Sequence, residues 1–418
     1  MLIHKFLIAA LLFLGTSTAW AQNAFFDLVA DSMTAFPGGF PGETFETFAD
    51  DQPALVSSRC MAFVGDGSLD GGGLFLVRNG DIEIVADVNT PVPGGLPGEL
   101  FDEFDAFSLD GCDVVFRASG LAGTIGIYRK REAEPLEGLV DVFSPAPVGT
   151  FTDLHEPWTH GGLVVFRAEH PGCGNGIFLY EGGEIDLIVD ECGGVQVPGG
   201  QPGEIFTGLD TRPILEERAV TFRGVGNVVT TGIYRVDETG IETVADATTF
   251  VPGGAPGETF TGFQSYAPTS EGEVVFLGLG SAFSIGIYRE SGGQLERLLD
   301  LAAAAFPGWL PGEILDLEEA EPLPWYSEGL LSLGVTGTMG SKGIYLLDEE
   351  GLHAFIAADD VVEERGILDV APIAHLHGRR AAIAAHDPEG AVLFLGIWAL
   401  FADSFESGDL IEWSDQVP

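Results

Sequence analysis

The phrase Pro37-Gly38-Gly39-Phe40-Pro41-Gly42-Glu43, leading into Thr44-Phe45, recurs along the chain and constrains the fold more than any other feature. The same pattern, Pro-Gly-Gly-x-Pro-Gly-Glu, returns at residues 93–99, 198–204 and 252–258, and a worn copy occupies 307–313. Degenerate text fills the two remaining places, 145–153 and 359–369. A period of about fifty residues makes each repeat one supersecondary unit that buries its apolar face against its neighbours. The 418 residues therefore read as one repetitive body rather than as two or three unrelated domains.

Between connectors lie three short apolar runs. The first is Asp113-Val114-Val115-Phe116-Arg117, matched at 163–167, 219–223 and 273–277 and, less closely, at 61–64, 330–333 and 381–384. The second opens with glycine and two bulky residues, as in Gly126-Ile127-Tyr128. It has seven copies, starting at Gly73, Gly126, Gly176, Gly232, Gly286, Gly343 and Gly396, spaced 50 to 57 residues apart. The third alternates, as in Ile82-Glu83-Ile84-Val85-Ala86-Asp87, with echoes at 185–190, 241–246, 295–300 and 352–357. Such runs, rich in β-branched and aromatic residues, are strands. Asn79-Gly80, Gly182-Gly183 and Gly292-Gly293 join the second and third runs as hairpin turns. A further strand follows each connector, marked by Phe45 and Phe48, Phe101 and Phe104, Phe151 and Leu154, Phe206 and Leu209, Phe260 and Phe263.

Four antiparallel strands per repeat, repeated seven times, predict an all-β, seven-bladed β-propeller. Phe25-Phe26-Asp27-Leu28-Val29-Ala30-Asp31 has the form of a third run, and no good third run follows Gly396-Ile397-Trp398. The N-terminal strand is therefore expected to complete the last blade and leave no open sheet edge.

The ends and the charge suggest where the chain works. His4 and Lys5, the apolar run 6–14 and Ala19-Trp20-Ala21 have the layout of a secretory signal over residues 1–21, cleaved before Gln22. The run is too short for a membrane span. The propeller is assigned to 22–400, and 401–418 forms a tail with the look of a sorting or surface-retention signature. Secretion to the medium or cell surface, or to a periplasm, is expected. With 18 basic against 64 acidic residues the formal charge is −46, which opposes binding to nucleic acid or anionic lipid. In an exported chain the four cysteines are expected to form disulfides. Cys173 and Cys192 fall at the same end of one hairpin, and Cys60 and Cys112 at near-equivalent places in consecutive blades. No Cys-x-x-Cys pair points to zinc.

Candidate site residues come from positions that break the repeat. At the turn between the first two strands of each blade stand Ser57, Asp110, His160, Glu216, Ser270, Ser327 and His377. Asp110, His160 and Glu216, in neighbouring blades, are candidates for metal ligation or acid/base work near the axis. His377 is the second histidine of this set. The segment Asp153-Leu154-His155-Glu156-Pro157-Trp158-Thr159-His160 follows a connector that has lost its form, so His155 and Trp158 join the candidates for ligand contact. Asp66, Ser68 and Asp70 have the alternate oxygens of a calcium loop, but Val77 stands where its closing glutamate belongs. Ca²⁺ is the one metal suggested, and no cofactor is required. The connector glutamates, present in most repeats, read as turn braces. No Gly-x-Ser-x-Gly elbow, His-Glu-x-x-His pair or phosphate loop occurs in the sequence.

The repeat resembles a group of bacterial exported tandem-repeat proteins marked by Asn-x-x-Gly-x-x-Ala-Phe and grouped with "choice-of-anchor" proteins. The resemblance spans about residues 25–400, and Thr269-Ser270-Glu271-Gly272-Glu273-Val274-Val275-Phe276 carries it best, with Thr at the Asn place and Val at the Ala place. It implies an exported repeat protein and brings no catalytic residues. The sequence thus supports a monomeric, non-enzymatic binding scaffold for a protein or glycan. The alternative is an extracellular carbohydrate-active hydrolase or lyase with its site at the propeller axis.

Overall fold

Seven antiparallel sheets, each with four principal strand positions, make up the protein. The computed structural model describes residues 24–398 apart from 50–53, 70, 148, 210–211, 229, 265–267, 317–323, 363–364 and 372–373. The expected signal segment, its cleavage point and the C-terminal tail lie outside the described residues.

Blade two has strands Phe101–Asp110, Asp113–Gly120, Ile125–Lys130 and Glu137–Asp141 paired in chain order. Blade three repeats it as Asp153–His160, Leu163–His170, Gly174–Glu181 and Glu184–Asp190. In blades one, four, five and seven the first strand is interrupted, for example Phe206–Gly208 and Ile214–Glu216 in blade four. These first strands touch from blade to blade in a closed ring and line the axis. The two degenerate connectors each fold into a small two-stranded ribbon, Pro145–Ala146 with Gly149–Thr150 and Val361–Val362 with Arg365–Gly366.

The repeated apolar text becomes stacked aromatic cores. In blade two the Tyr128 ring meets Phe101 edge-on at 4.9 Å and lies 5.6 Å from Phe116. Blades four and five repeat the arrangement with Phe206 and Tyr234 at 5.0 Å and Phe260 and Tyr288 at 4.9 Å. Burying each such ring contributes roughly 1.5–3 kcal/mol. The glycine that opens the second run is explained by the same packing. A Cβ on Gly126 would stand 2.6 Å from the Tyr128 hydroxyl.

The connector glutamates are buried clamps. The Glu99 carboxylate accepts the Leu96 N–H at 2.7 Å within its connector, then the N–H groups of Ala122 and Thr124 at 3.1 Å and the Thr124 hydroxyl at 2.8 Å across the turn between strands two and three. Glu258 and Glu313 repeat this with Ser284 and Ser341, and Glu204 with Thr230. Glu43 binds Phe40 and Gly71. Each clamp needs a glycine opposite it: a Cβ on Gly67, Gly120, Gly226, Gly280 or Gly337 would stand 2.1–2.3 Å from a carboxylate oxygen. Burial alone would raise the Glu99 and Glu313 carboxyls, but their hydrogen bonds outweigh it and hold both below the ordinary value. For Glu258 the Ala255 N–H leads the same lowering.

The ring is shut by the N-terminal strand. Ala24–Asp31 pairs antiparallel with Gly390–Trp398, from Ala24 opposite Trp398 to Asp31 opposite Val392. The Arg365 guanidinium locks the seam, reaching Asp31 at 2.6 Å and Asp387 at 2.7 Å. Both expected disulfides are present. Cys60–Cys112 ties blade one to blade two, and Cys173–Cys192 ties two turns at one end of blade three. They suit an oxidising compartment. Among the described residues no helix is long and apolar enough to cross a membrane.

Candidate functional site

Strand alternation gives the disc two unlike faces. Turns between strands one and two, and between three and four, lie at one end of every blade; the turns between two and three and the connectors lie at the other. The axial mouth opens on the first face as a cavity of about 250 Å³ lined from all seven blades. Ser57, Asp110, His160, Glu216, Ser270, Ser327 and His377 all line it, as the sequence frame requires.

Most of this ring is occupied in holding neighbouring blades together. Asp110 accepts the N–H of Gly161 in blade three at 2.7 Å. Glu216 accepts the N–H groups of Glu271 and of Gly272 in blade five, the latter at 3.0 Å. Ser270 and Ser327 accept the N–H groups of Glu328 and Gly378, and Ser57 donates to the carbonyl of Gly111. His160 and His377 are the exceptions, for neither side chain makes a hydrogen bond among the described residues. The His377 imidazole is pushed below its ordinary value first by desolvation and then by Arg380, with Glu328 and Asp110 opposing.

Two residues earlier on each inner strand lies the floor of the mouth. Trp158 stacks on Trp325 at 5.8 Å, and the Arg212 guanidinium stands 5.9 Å from the Trp158 ring. Trp325 meets His375 edge-on at 4.2 Å. His375 Nδ1 accepts the Val56 N–H at 3.1 Å, which puts the proton of the neutral ring on Nε2. Burial, aided by His377 and Arg212, pushes this imidazole down to about 3. Leu55 and Ile214 pack into the same layer and help plug the axis. Trp325, Arg212 and His375 were not singled out by the sequence. The usable signal was period-two alternation, which places residues two before the mouth ring on the axial side.

Other candidates fall elsewhere. His155 precedes His160 by five residues on an extended strand, a rise of about 16 Å, and does not line the mouth. It sits 3.9 Å from Asp153 and 3.8 Å from Glu169. Burial and then Arg167 lower its imidazole. Asp66 bonds the Thr47 hydroxyl and Ser68 the Thr44 N–H, both within blade one, while Asp70 lies outside the described residues.

A closed ring of seven four-stranded sheets defines the class: this is a seven-bladed β-propeller. It is similar in fold to the β-propeller domain of the Trilobed protease from Pyrococcus furiosus, with a TM-score of 0.53 and 9% identity over 87% of this chain and 100% of that one. That domain is described as having an open velcro topology, whereas here the terminal strands pair. The chain is also similar to Pyrococcus horikoshii acylaminoacyl peptidase, with a TM-score of 0.50 and 10% identity over 84% of this chain and 51% of that one. An oligogalacturonate lyase in complex with manganese matches with a TM-score of 0.50 and 12% identity over 91% of this chain and 98% of that one. At such identities the likeness is one of fold alone. No family model matches the chain, and no curated protein is similar to it in sequence.

Proposed function

We propose that this chain is an exported, non-enzymatic binding scaffold that holds a polypeptide partner on its connector face, outside the cell or at its surface. The observation that carries this reading is the distribution of exposed apolar side chains. Phe40 is 70% exposed, Phe143 68%, Phe250 69% and Phe283 94%, and all four belong to connectors or to turns between strands two and three. Leu121 and Met339 stand exposed in the same turns. The opposite face presents polar turn tips such as Glu181, Glu238, Glu271 and Glu349. Large apolar side chains exposed on one face, against polar turn tips on the other, favour the first as the interaction surface.

The chemistry of those side chains favours a protein over a glycan. Phenylalanine lacks the hydrogen-bonding tip by which tryptophan and tyrosine meet a hydrated surface. The acidic field of the rest of the molecule favours a neutral or basic partner. A catalytic reading loses two of its candidate groups at the mouth, because Asp110 and Glu216 are engaged with neighbouring amides. Two disulfides and the resemblance to exported repeat proteins support the location.

The test is to immobilise the protein and probe it with the secreted polypeptide fraction of the source culture and with a glycan array. A polypeptide retained by the native protein and lost on Phe→Ser substitution at the four phenylalanines supports the proposal. Glycans retained irrespective of those substitutions would overturn it.

A further inference from the structure

Blade three departs from the glutamate clamp, and what replaces it has a different chemistry. The place at the end of strand two that is Gly67, Gly120, Gly226 or Gly280 in other blades is His170 here. The connector 145–153 brings no glutamate to meet it. His170 is 3% exposed, and its Nε2 is buried without a hydrogen-bond partner among the described residues. A buried polar atom left without a partner calls for an explanation.

The surroundings supply one. A ring nitrogen of His170, the Cys173 sulfur and a carboxylate oxygen of Asp190 all lie within 4.8 Å of one another. Cys192 is bonded to Cys173, so its sulfur lies one bond away from that group. Asp190 is buried. Its counterparts Asp31, Asp87, Asp141 and Asp246 each bind the hydroxyl three residues on, from Thr34, Thr90, Ser144 and Thr249. Asp190 has Gly193 at that place and, among the described residues, takes only its N–H, through Oδ1. Its other oxygen is left for a further partner. Cysteine spacing could not signal this set, because the four donors come as His-x-x-Cys and Asp-x-Cys pairs on two turns that meet only in the folded blade.

We propose that blade three holds a thiol-gated zinc site, in which a dithiol reductant opens the Cys173–Cys192 disulfide and Zn²⁺ binds both thiolates, the His170 imidazole and the Asp190 carboxylate. The dithiol gives up two electrons and two protons and becomes a cyclic disulfide, while Cys173 and Cys192 become thiols. Zn²⁺ then displaces the two thiol protons to solvent. Two sulfurs, one nitrogen and one oxygen suit a tetrahedral d¹⁰ cation. In the disulfide form the site is closed, because the sulfurs are joined to each other.

Co²⁺ titration of the full chain tests this, since thiolate-to-cobalt charge-transfer absorption cannot come from the many surface carboxylates. Protein reduced with dithiothreitol and desalted without oxygen is expected to bind one Co²⁺ with that absorption, displaced by Zn²⁺, and the oxidised protein to show none. His170→Gln and Asp190→Asn should each weaken binding by about tenfold or more. Cys173→Ser with Cys192→Ser should abolish the absorption while leaving Cys60 and Cys112 in place. Absence of the absorption in the reduced native protein, its persistence in the double serine variant, or unchanged affinity in His170→Gln would overturn the proposal. The two ligand substitutions are read independently, so a folding failure of either leaves the other to decide.

Discussion

The two faces of the disc use their carboxylates in opposite settings. On the connector face Glu43, Glu99, Glu204, Glu258 and Glu313 are buried, and the loops they pin present apolar side chains outward. On the mouth face Asp110 and Glu216 are half-buried, brace the next blade from the rim, and leave polar turns outward. Position in the repeat thus separates residues that hold the ring from those free to meet a partner. Acidic side chains at an axial mouth look functional in a sequence, yet here the amides of the neighbouring blade already occupy two of them.

Breaking the ring affects both faces and is expected to have the largest effect. Deleting residues 23–31 removes the ladder to Gly390–Trp398 and the Asp31 partner of Arg365. The melting temperature should fall by roughly 10 °C or more, and an unchanged value would refute closure by this strand. Next comes the clamp itself. Glu204→Ala removes the acceptor of the part-buried Gln201 N–H and of the buried Thr230 N–H and should cost about 2–4 kcal/mol in denaturant unfolding. Gly226→Ala should do comparable harm, since its Cβ would stand 2.2 Å from a Glu204 oxygen.

Acid should separate the faces by pH window. The imidazole of His375, under the mouth, is held at about 3 in the fold against roughly 6.5 when unfolded. The unfolded chain therefore takes up the proton first, and stability should decline as pH falls below about 6.5. Glu99, Glu258 and Glu313 are held below their ordinary value by hydrogen bonds. Their contribution is present above about 4.3 and is lost as pH falls through the lowered folded values. His375→Gln should lessen the decline of the urea midpoint between pH 6.5 and 4.5, with the lowered imidazoles of His155 and His377 keeping part of it, and leave the decline at lower pH in place. A smaller effect is expected from the rim: Asp110→Ala loses one half-exposed brace and should cost only about 0.5–1.5 kcal/mol.

The fold was largely legible because its signals are periodic. The Gly-Ile-Tyr runs mark a strand whose glycine must admit the aromatic ring two residues on, and the N-terminal run matches a strand missing from the last repeat. Cys60–Cys112 followed from near-equivalent positions in consecutive blades, and Cys173–Cys192 from the shared end of one hairpin. The site was legible only in part. His155 and His160 look adjacent in sequence, but an extended strand carries them to different levels of the blade. Trp325 and His375 form the mouth floor through contacts between inner strands of separate blades, which no local pattern reports. The apolar character of the connector face was written in Phe40, Phe143 and Phe283, but it emerges only when alternating turns are sorted to the two ends of the blades.

The smallest expected effect on stability belongs to the substitutions that bear most on function. Phe→Ser at Phe40, Phe143, Phe250 and Phe283 removes exposed side chains, and each change should leave stability within about 0.5 kcal/mol. The direct test compares this variant with one carrying Trp158→Ala, His160→Ala and His377→Ala, both titrated against the polypeptide that the native protein retains. Binding is expected to be lost in the connector-face variant and kept in the mouth variant; the reverse pattern would contradict capture on the connector face.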